Sequence, residues 1–363
     1  MPKELRALLA DLEQDGHFVN IAQNPLAQFG TPARTYIGAT LLPERNVPNN
    51  AYREQGIKYR TVVANDGTRY SPVQKKKGEL MGSFLVELGD ADIGRELSAA
   101  EYDMLLHALS SSSDMQAMLR ILDWTDVTLV RALIEHNERQ RWQAIVASVV
   151  QRRGDNGYLE DVQYSNPAGH RSNALGQWSL DTYDPMDDII AKADLLAGKG
   201  FKVSRIITST PVMSILSGNS KMQARVGSTV INLGGQLSIA SQRADLAALA
   251  RIFNANGLPS PETYDLQYRT QTGSGFFLDR NVFVMVCTTG NDSPVDLGDQ
   301  ERLLVDTLGY MAIGRAAGQS SPGRVVRLEA FTNKPPRIEG ECWETQLPVI
   351  TEPEAIGVIG AIS

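Results

Sequence analysis

Residues 123–153 constrain the fold most, because Val127, Val130, Ile134, Trp142, Ile145 and Val149 fall on one helical stripe that is broken once, by Glu138. Asp123 and Asp126 stand at the positive end of such a helix. Arg152 and Arg153 followed by Gly154 supply the basic last turn and left-handed cap of its stop. At 1.5 Å per residue the helix would run roughly 45 Å, longer than a small domain is wide. Such a helix is expected to act as a spine with other elements draped along it.

The rest of the chain must supply those elements. Its 363 residues are enough for about two or three domains, and 42% hydrophobic content supports cores for them. The formal charge is -7 and the densest basic run is Lys75-Lys76-Lys77, which disfavours tight nucleic-acid binding through a basic face. Two cysteines, Cys287 and Cys342, cannot form a multi-bridge framework, so folding is expected in a reducing cytoplasm. Near the N-terminus Leu5, Leu8, Leu9 and Leu12 follow helical spacing with charges between them, the pattern of a surface helix and not of a signal segment. No apolar run reaches the ~18 residues that a membrane span requires.

Pro25, Gly30, Pro32, Pro43 and Pro48 punctuate residues 20–50, which predicts an extended arm with little helix, ordered by lying across something else. Strand signals at 59–63 and 68–70 flank Asn65-Asp66-Gly67, and a return strand at 83–88 completes a long two-stranded loop that needs a neighbour to pack on. Ser98 and Glu101 form a capping box that opens a helix ending in the serine tract at 110–113. Beyond the spine, 158–164 reads as a strand. Pro185 starts a helix with Asp187 and Asp188 in its first turn, ending at Gly198-Lys199-Gly200. Strands are predicted at 201–208, 264–270, 276–278, 282–287, 325–331 and 339–349, with helices from Pro211 and over 245–254. The fold class is mixed α+β, without an internal repeat.

A search for chemistry returns structural roles. The turn Thr208-Ser209-Thr210-Pro211 has no glycine to admit a pyrophosphate, and Gly273-Ser274-Gly275 reads as a hairpin turn. His17, His107, His136 and His170 have no histidine or cysteine at ligand spacing, so no metal site and no catalytic base is assigned. Gln319-Ser320-Ser321-Pro322-Gly323 lacks the frame of a nucleophile elbow. Asp184 and Asp188 would share a helix face, yet carboxylates at a helix start complement the macrodipole and cap free amides. Glu138 is expected to pair with an arginine such as Arg141 or one on a neighbour. No cofactor is implied, and the chain is not expected to be an enzyme.

The order of these elements, together with Trp178-Ser179, Tyr183-Asp184-Pro185 and Asp187-Asp188-Ile189, resembles the tailed-phage major capsid protein of the lambda-type major capsid protein E family, with the Hong Kong 97-like fold. Tyr264-Asp265 and Tyr268 followed by 278–282, and Gln346-Leu347-Pro348-Val349-Ile350 with Pro353, are further matches, and Leu41-Leu42-Pro43 is a weaker one. The resemblance covers about 37–362. It implies an N-terminal arm at 1–45, an extended loop at 46–96, a peripheral domain from 97–178 and 328–363, and an axial domain at 179–327. Trp178, Tyr183, Asp184 and Asp188 would mark the domain junction. Arg60, Arg69, Lys75, Lys76, Lys77 and Glu138 would make assembly contacts.

The implied function is self-assembly through hexamers and pentamers into the icosahedral head of a tailed bacteriophage. Each extended loop would lie on a neighbouring subunit. Implied partners are portal, scaffold and decoration or cement proteins and, by non-specific contact, packaged dsDNA, with no membrane. Assembly would take place in the host cytoplasm, without covalent cross-links. The alternatives are an encapsulin-like compartment shell and a cytosolic α/β enzyme using Asp184 and Asp188.

Overall fold

The computed structural model describes residues 5–362 apart from 24–34, 49, 55–56, 59–78, 81–83, 112–113, 155–158, 227–229, 234–235, 240–244, 271–272, 288–307, 332 and 335. The spine is present but displaced toward the N-terminus. It consists of Asp114–Thr125, a π-helical turn at Asp126–Val130, and Arg131–Ala147. Thr125 and Thr128 turn their hydroxyls back onto the carbonyls of Ile121 and Trp124, at 2.7 and 2.6 Å. Asp126 pairs with Arg131, five residues on, at 2.9 Å, so an ion pair from a buried carboxylate to a half-buried guanidinium spans the widened turn. Val127, expected on the buried stripe, is 46% exposed.

The spine stops earlier than its sequence suggests. Ser148 adopts φ 56° and ψ 22°, a left-handed cap, and Val149–Arg153 is a strand paired antiparallel with Leu159–Gln163. Two adjacent β-branched valines favour extended backbone, and Val150 is fully buried there. Arg152 and Arg153 are therefore not helix-end cations; they bind Glu160 and Asp161 across the strands at 2.7 and 2.6 Å.

Two five-stranded sheets surround the spine. In the first, Arg337–Ile350 is central, pairing with Gly309–Ile313 through 346–350, with Gly89–Leu97 through 338–346, and with Val325–Phe331 through 337–343. Glu44–Asn46 adds in parallel to Gly309–Ile313. In the second, the fully buried Val282–Val286 lies between Arg205–Thr208 and Ile356–Gly360, with Pro261–Thr263 and Arg171–Asn173 at the edges. The chain crosses from the first sheet to the second through the short 3-10 turn Pro353–Ala355.

The sheets thus divide the chain differently from the expected domain boundaries. Residues 89–96, placed in the extended loop, and 309–313, placed in the axial domain, are hydrogen-bonded into the first sheet. Residues 171–173 and 356–360, placed in the peripheral domain, belong to the second sheet. Backbone pairing at long range, which local patterns do not encode, decides sheet membership.

Local signals hold where they rest on near neighbours. Ser98 donates its hydroxyl and its backbone N–H to Glu101 at 2.7 and 2.9 Å at the start of Ala99–Ser111, and these bonds, the hydroxyl's foremost, lower the Glu101 carboxyl below its usual range. Asp245 caps Leu246–Ala255; Gln267–Arg269 pairs with Ser274–Phe276 as a hairpin, but Ser274 and Gly275, expected in its turn, belong to its second strand. The loop ribbon is seen where Ala51–Glu54 pairs with Phe84–Glu87, and Ile57–Lys58 with Glu79–Leu80. The Asn65-Asp66-Gly67 turn lies outside the described residues.

Among the described residues hydrophobic burial forms three clusters, and the Arg131–Ala147 helix contributes to each. Trp142 and Ile145 join the core of the second sheet, Leu133 joins that of the N-terminal helix Leu5–Gln14, and Ala144 joins a smaller one with Val150 and Leu347. The arm also contains helix, at Ile37–Leu41, contrary to the extended reading. Ile37, Leu41 and Leu42 are buried with Trp142, so tertiary contact outweighs the neighbouring prolines.

Candidate functional site

Residues 174–184 lead from the edge strand Arg171–Asn173 of the second sheet into the helix Pro185–Gly198, and Trp178 and Asp188 are buried there. Pro185 occupies the first turn of Pro185–Gly198, and Asp184 caps it, its Oδ1 accepting the Met186 N–H at 3.0 Å. Its Oδ2 accepts from Nε and Nη2 of Arg225, at 3.0 and 2.7 Å. Asp188 does something different from helix capping. Its Oδ2 accepts from Trp178 Nε1 at 2.8 Å, while Oδ1 accepts from the Tyr183 hydroxyl at 2.6 Å and the Leu175 N–H at 3.4 Å.

One carboxylate therefore clasps both ends of the Trp178–Tyr183 turn. Burial and the bond to Asp188 push the Tyr183 phenol up to about 12, so the hydroxyl remains a donor throughout the neutral range. Trp178 is 1% exposed and meets Phe283 of the central strand edge-on, with centroids 5.6 Å apart. Gly176 is required here, because a Cβ would stand 2.4 Å from the Tyr183 ring.

Asn219 completes the clasp and was not singled out from the sequence. Its Nδ2 donates to the carbonyls of Trp178, Leu180 and Tyr183 at 3.0, 3.0 and 3.1 Å, while Oδ1 accepts from the Lys221 and Met222 N–H groups. An asparagine before a helix is a visible capping signal at Ser220–Val226; its grip on a turn about forty residues upstream is not.

The spine carries a second buried centre. Glu138, fully buried, accepts at Oε1 from the Gly38 N–H, Trp142 Nε1 and the Tyr264 hydroxyl at 2.8, 2.8 and 2.7 Å. Arg141 pairs with Oε2 at 3.5 Å, donates to the Leu42 carbonyl at 2.9 Å, and reaches Glu44 at 3.4 Å. Arg324 lies 3.5 Å from Glu44 and 2.8 Å from Glu344. Charges thus alternate from Glu344 in the first sheet, through Arg324, Glu44 and Arg141, to Glu138 against the second core.

Glu138 is consequently an intrachain hub and not an exposed assembly contact, because its carboxylate has no surface left to present. Burial and the Glu138 carboxylate raise the Tyr264 phenol. Tyr264 stacks on Trp142 at 5.3 Å, and the adjacent Asp265 accepts the Thr210 N–H at 3.1 Å at the start of Thr210–Gly218. Arg60, Arg69, Lys75, Lys76 and Lys77 lie outside the described residues.

His136, on the same helix, contacts Gln140 at 2.8 Å. Burial, with Arg139 and Arg152 adding repulsion, depresses the imidazolium pKa to about 4. A histidine held neutral in the fold contributes stability present above the unfolded value of 6.5 and lost as pH falls toward 4. Urea unfolding between pH 7 and pH 4 should therefore show falling stability, with at most ~3 kcal/mol from this group. His136→Gln should flatten that slope, and an unchanged slope would rule out the assignment.

Among the described residues no group of three or more His, Cys, Asp or Glu side chains could hold a metal ion, and no helix is long and apolar enough to cross a membrane. No curated protein matches the sequence. The sequence profile of phage major capsid protein E matches residues 94–291, more than half of the chain. Among solved structures, that described as the capsid protein of a prophage of E. coli CFT073 superposes with a TM-score of 0.61 and 13% identity, covering 96% of this chain and 98% of that one. A phage-related protein from Bordetella bronchiseptica RB50 gives a TM-score of 0.47 at 13% identity over 92% and 94% of the two chains. A chain of Gordonia phage Cozz gives 0.47 at 15% identity over 92% and 90%.

Proposed function

Given that the chain belongs to the phage major capsid protein E family, with the Hong Kong 97-like α+β fold and a capsid-forming role, we propose that it builds the head of a tailed bacteriophage from hexamers and pentamers. The observation that carries this reading is the family match, which spans the spine, the Trp178–Asp188 clasp and the strands Arg205–Thr208 and Val282–Val286. The geometry supports it further. Buried polar groups are spent on holding two sheets and a spine in fixed relation, as a subunit needs if weak contacts are to repeat with one geometry around closed rings.

On this reading the first sheet with the spine forms the peripheral part and the second sheet with its helices the axial part. The ribbon based on Ala51–Glu54 and Phe84–Glu87 extends toward a neighbour. Arg60, Arg69 and Lys75 to Lys77 are its proposed contact residues. Portal, scaffold and decoration proteins are the proposed partners, and the acidic balance suits a container that confines dsDNA without gripping bases. The chain is proposed to have no catalytic activity and to assemble in the host cytoplasm.

Negative-stain microscopy and light scattering of the expressed chain test the proposal. Shells, capsomers or open curved assemblies are expected; a compact monomer that turns over a substrate would overturn it. Contacts between subunits are expected to be noncovalent, although the loop carries three adjacent lysines. In mature particles boiled in denaturant this chain should run as a monomer. A ladder of covalent multimers would show an isopeptide bond instead.

A further inference from the structure

A groove of about 570 Å³ lies between the second half of the spine helix and the hairpin Gln267–Arg269 with Ser274–Phe276. Val146, Tyr268 and Phe276 line it together with Arg139 and Arg280. Each guanidinium lies over a ring of the hairpin: Arg139 is 5.4 Å from the Tyr268 centroid, and Arg280 is 4.8 Å from that of Phe276. Neither arginine forms a salt bridge among the described residues, whereas Arg141, Arg152, Arg205, Arg225 and Arg324 all do.

A guanidinium held against a ring is oriented without using its N–H donors, which stay available in one plane for a carboxylate. The two cations outnumber the one carboxylate of the lining, Asp279, whose Oδ1 already accepts the Asn281 N–H at 3.0 Å, and they flank apolar and aromatic surface, so a matching occupant carries negative charge beside apolar atoms. The chain holds 42 acidic against 35 basic side chains, so every copy of it brings surplus carboxylate. We propose that this groove is a contact between copies, in which an acidic segment of a second copy places carboxylates on Arg139 and Arg280 and apolar surface on Tyr268 and Phe276. The inference rests on the shell reading and adds to it a specific, salt-sensitive seam beside the spine.

The test compares the full chain with the double variant Arg139→Gln and Arg280→Gln. The variant should keep the wild-type circular dichroism spectrum and melting temperature but give at least ~10-fold fewer particles at equal chain concentration. Its assembly should also respond less to added salt. In a parallel arm, a photo-cross-linking residue at Ala147, which is exposed and lines the groove, should capture an acidic segment of another copy within particles. Undiminished assembly of the double variant would overturn the proposal. So would cross-links confined to the same chain, to nucleic acid or to a different protein. If the variant does not fold, the cross-linking arm decides alone. Wild-type chain that forms no shells, capsomers or open assemblies would instead overturn the shell reading itself.

Discussion

Replacing Glu138 by leucine is expected to destabilise the soluble, unassembled chain by ~3–5 kcal/mol, because it breaks a buried pair by removing one partner. Three donors lose their acceptor together: the Gly38 N–H, Trp142 Nε1 and the Tyr264 hydroxyl. Arg141, 1% exposed, would keep its bond to the Leu42 carbonyl at 2.9 Å but would be left with the half-exposed Glu44, at 3.4 Å, as its carboxylate partner. Glu138→Gln should cost less, since an amide oxygen can still accept at the Oε1 position. Urea midpoints of the two variants give the ordering that matters. Equal losses would show that charge, and not acceptance, dominates the hub, and a leucine variant as stable as wild type would show the hub to be dispensable.

Trp178→Ala is expected to cost a similar ~3–5 kcal/mol, by removing a large buried ring and leaving a cavity beside Phe283. Trp178→Phe retains most of the ring but leaves Asp188 Oδ2 without its 2.8 Å donor, which should cost ~1–3 kcal/mol. Thermal and urea unfolding of both variants check this, with Asp188→Asn as a third point on the same clasp. Near-wild-type stability for Trp178→Ala would mean that the turn is held by Asn219 and the Asp188–Tyr183 bond alone. In that case the tryptophan would not be the anchor of the junction.

The two centres differ in how they could be read in advance. The Trp178–Asp188 clasp lies within a short stretch, so its residues stand together in the sequence, and the structure differs from expectation only in the aim of one carboxylate. Asp188 occupies a first-turn position that ordinarily faces helix amides; the buried indole and phenol offered it better donors. The Glu138 hub joins residues 100 and 126 positions apart along the chain. A lone acid in an apolar stripe signals only that something must pair with it. Neither Gly38 nor Tyr264 advertises the pairing, although Gly38 is forced, since a Cβ would stand 2.7 Å from the carboxylate.

What the sequence determined by itself is the chemistry that acts within a turn or two. Ser98 with Glu101, Asp184 with Pro185, and Asp245 each start a helix. These features close hydrogen bonds between near neighbours, so the local residues suffice to specify them. Only the tertiary structure decided that Val149–Arg153 leaves the spine as a strand, that Ile37–Leu41 is helical, and that Ile356–Gly360 joins the second sheet. In each case a distant strand or core supplied partners that outweighed local propensity. Strand pairing and the satisfaction of buried charge are properties of the closed chain, and they become defined only once remote segments meet.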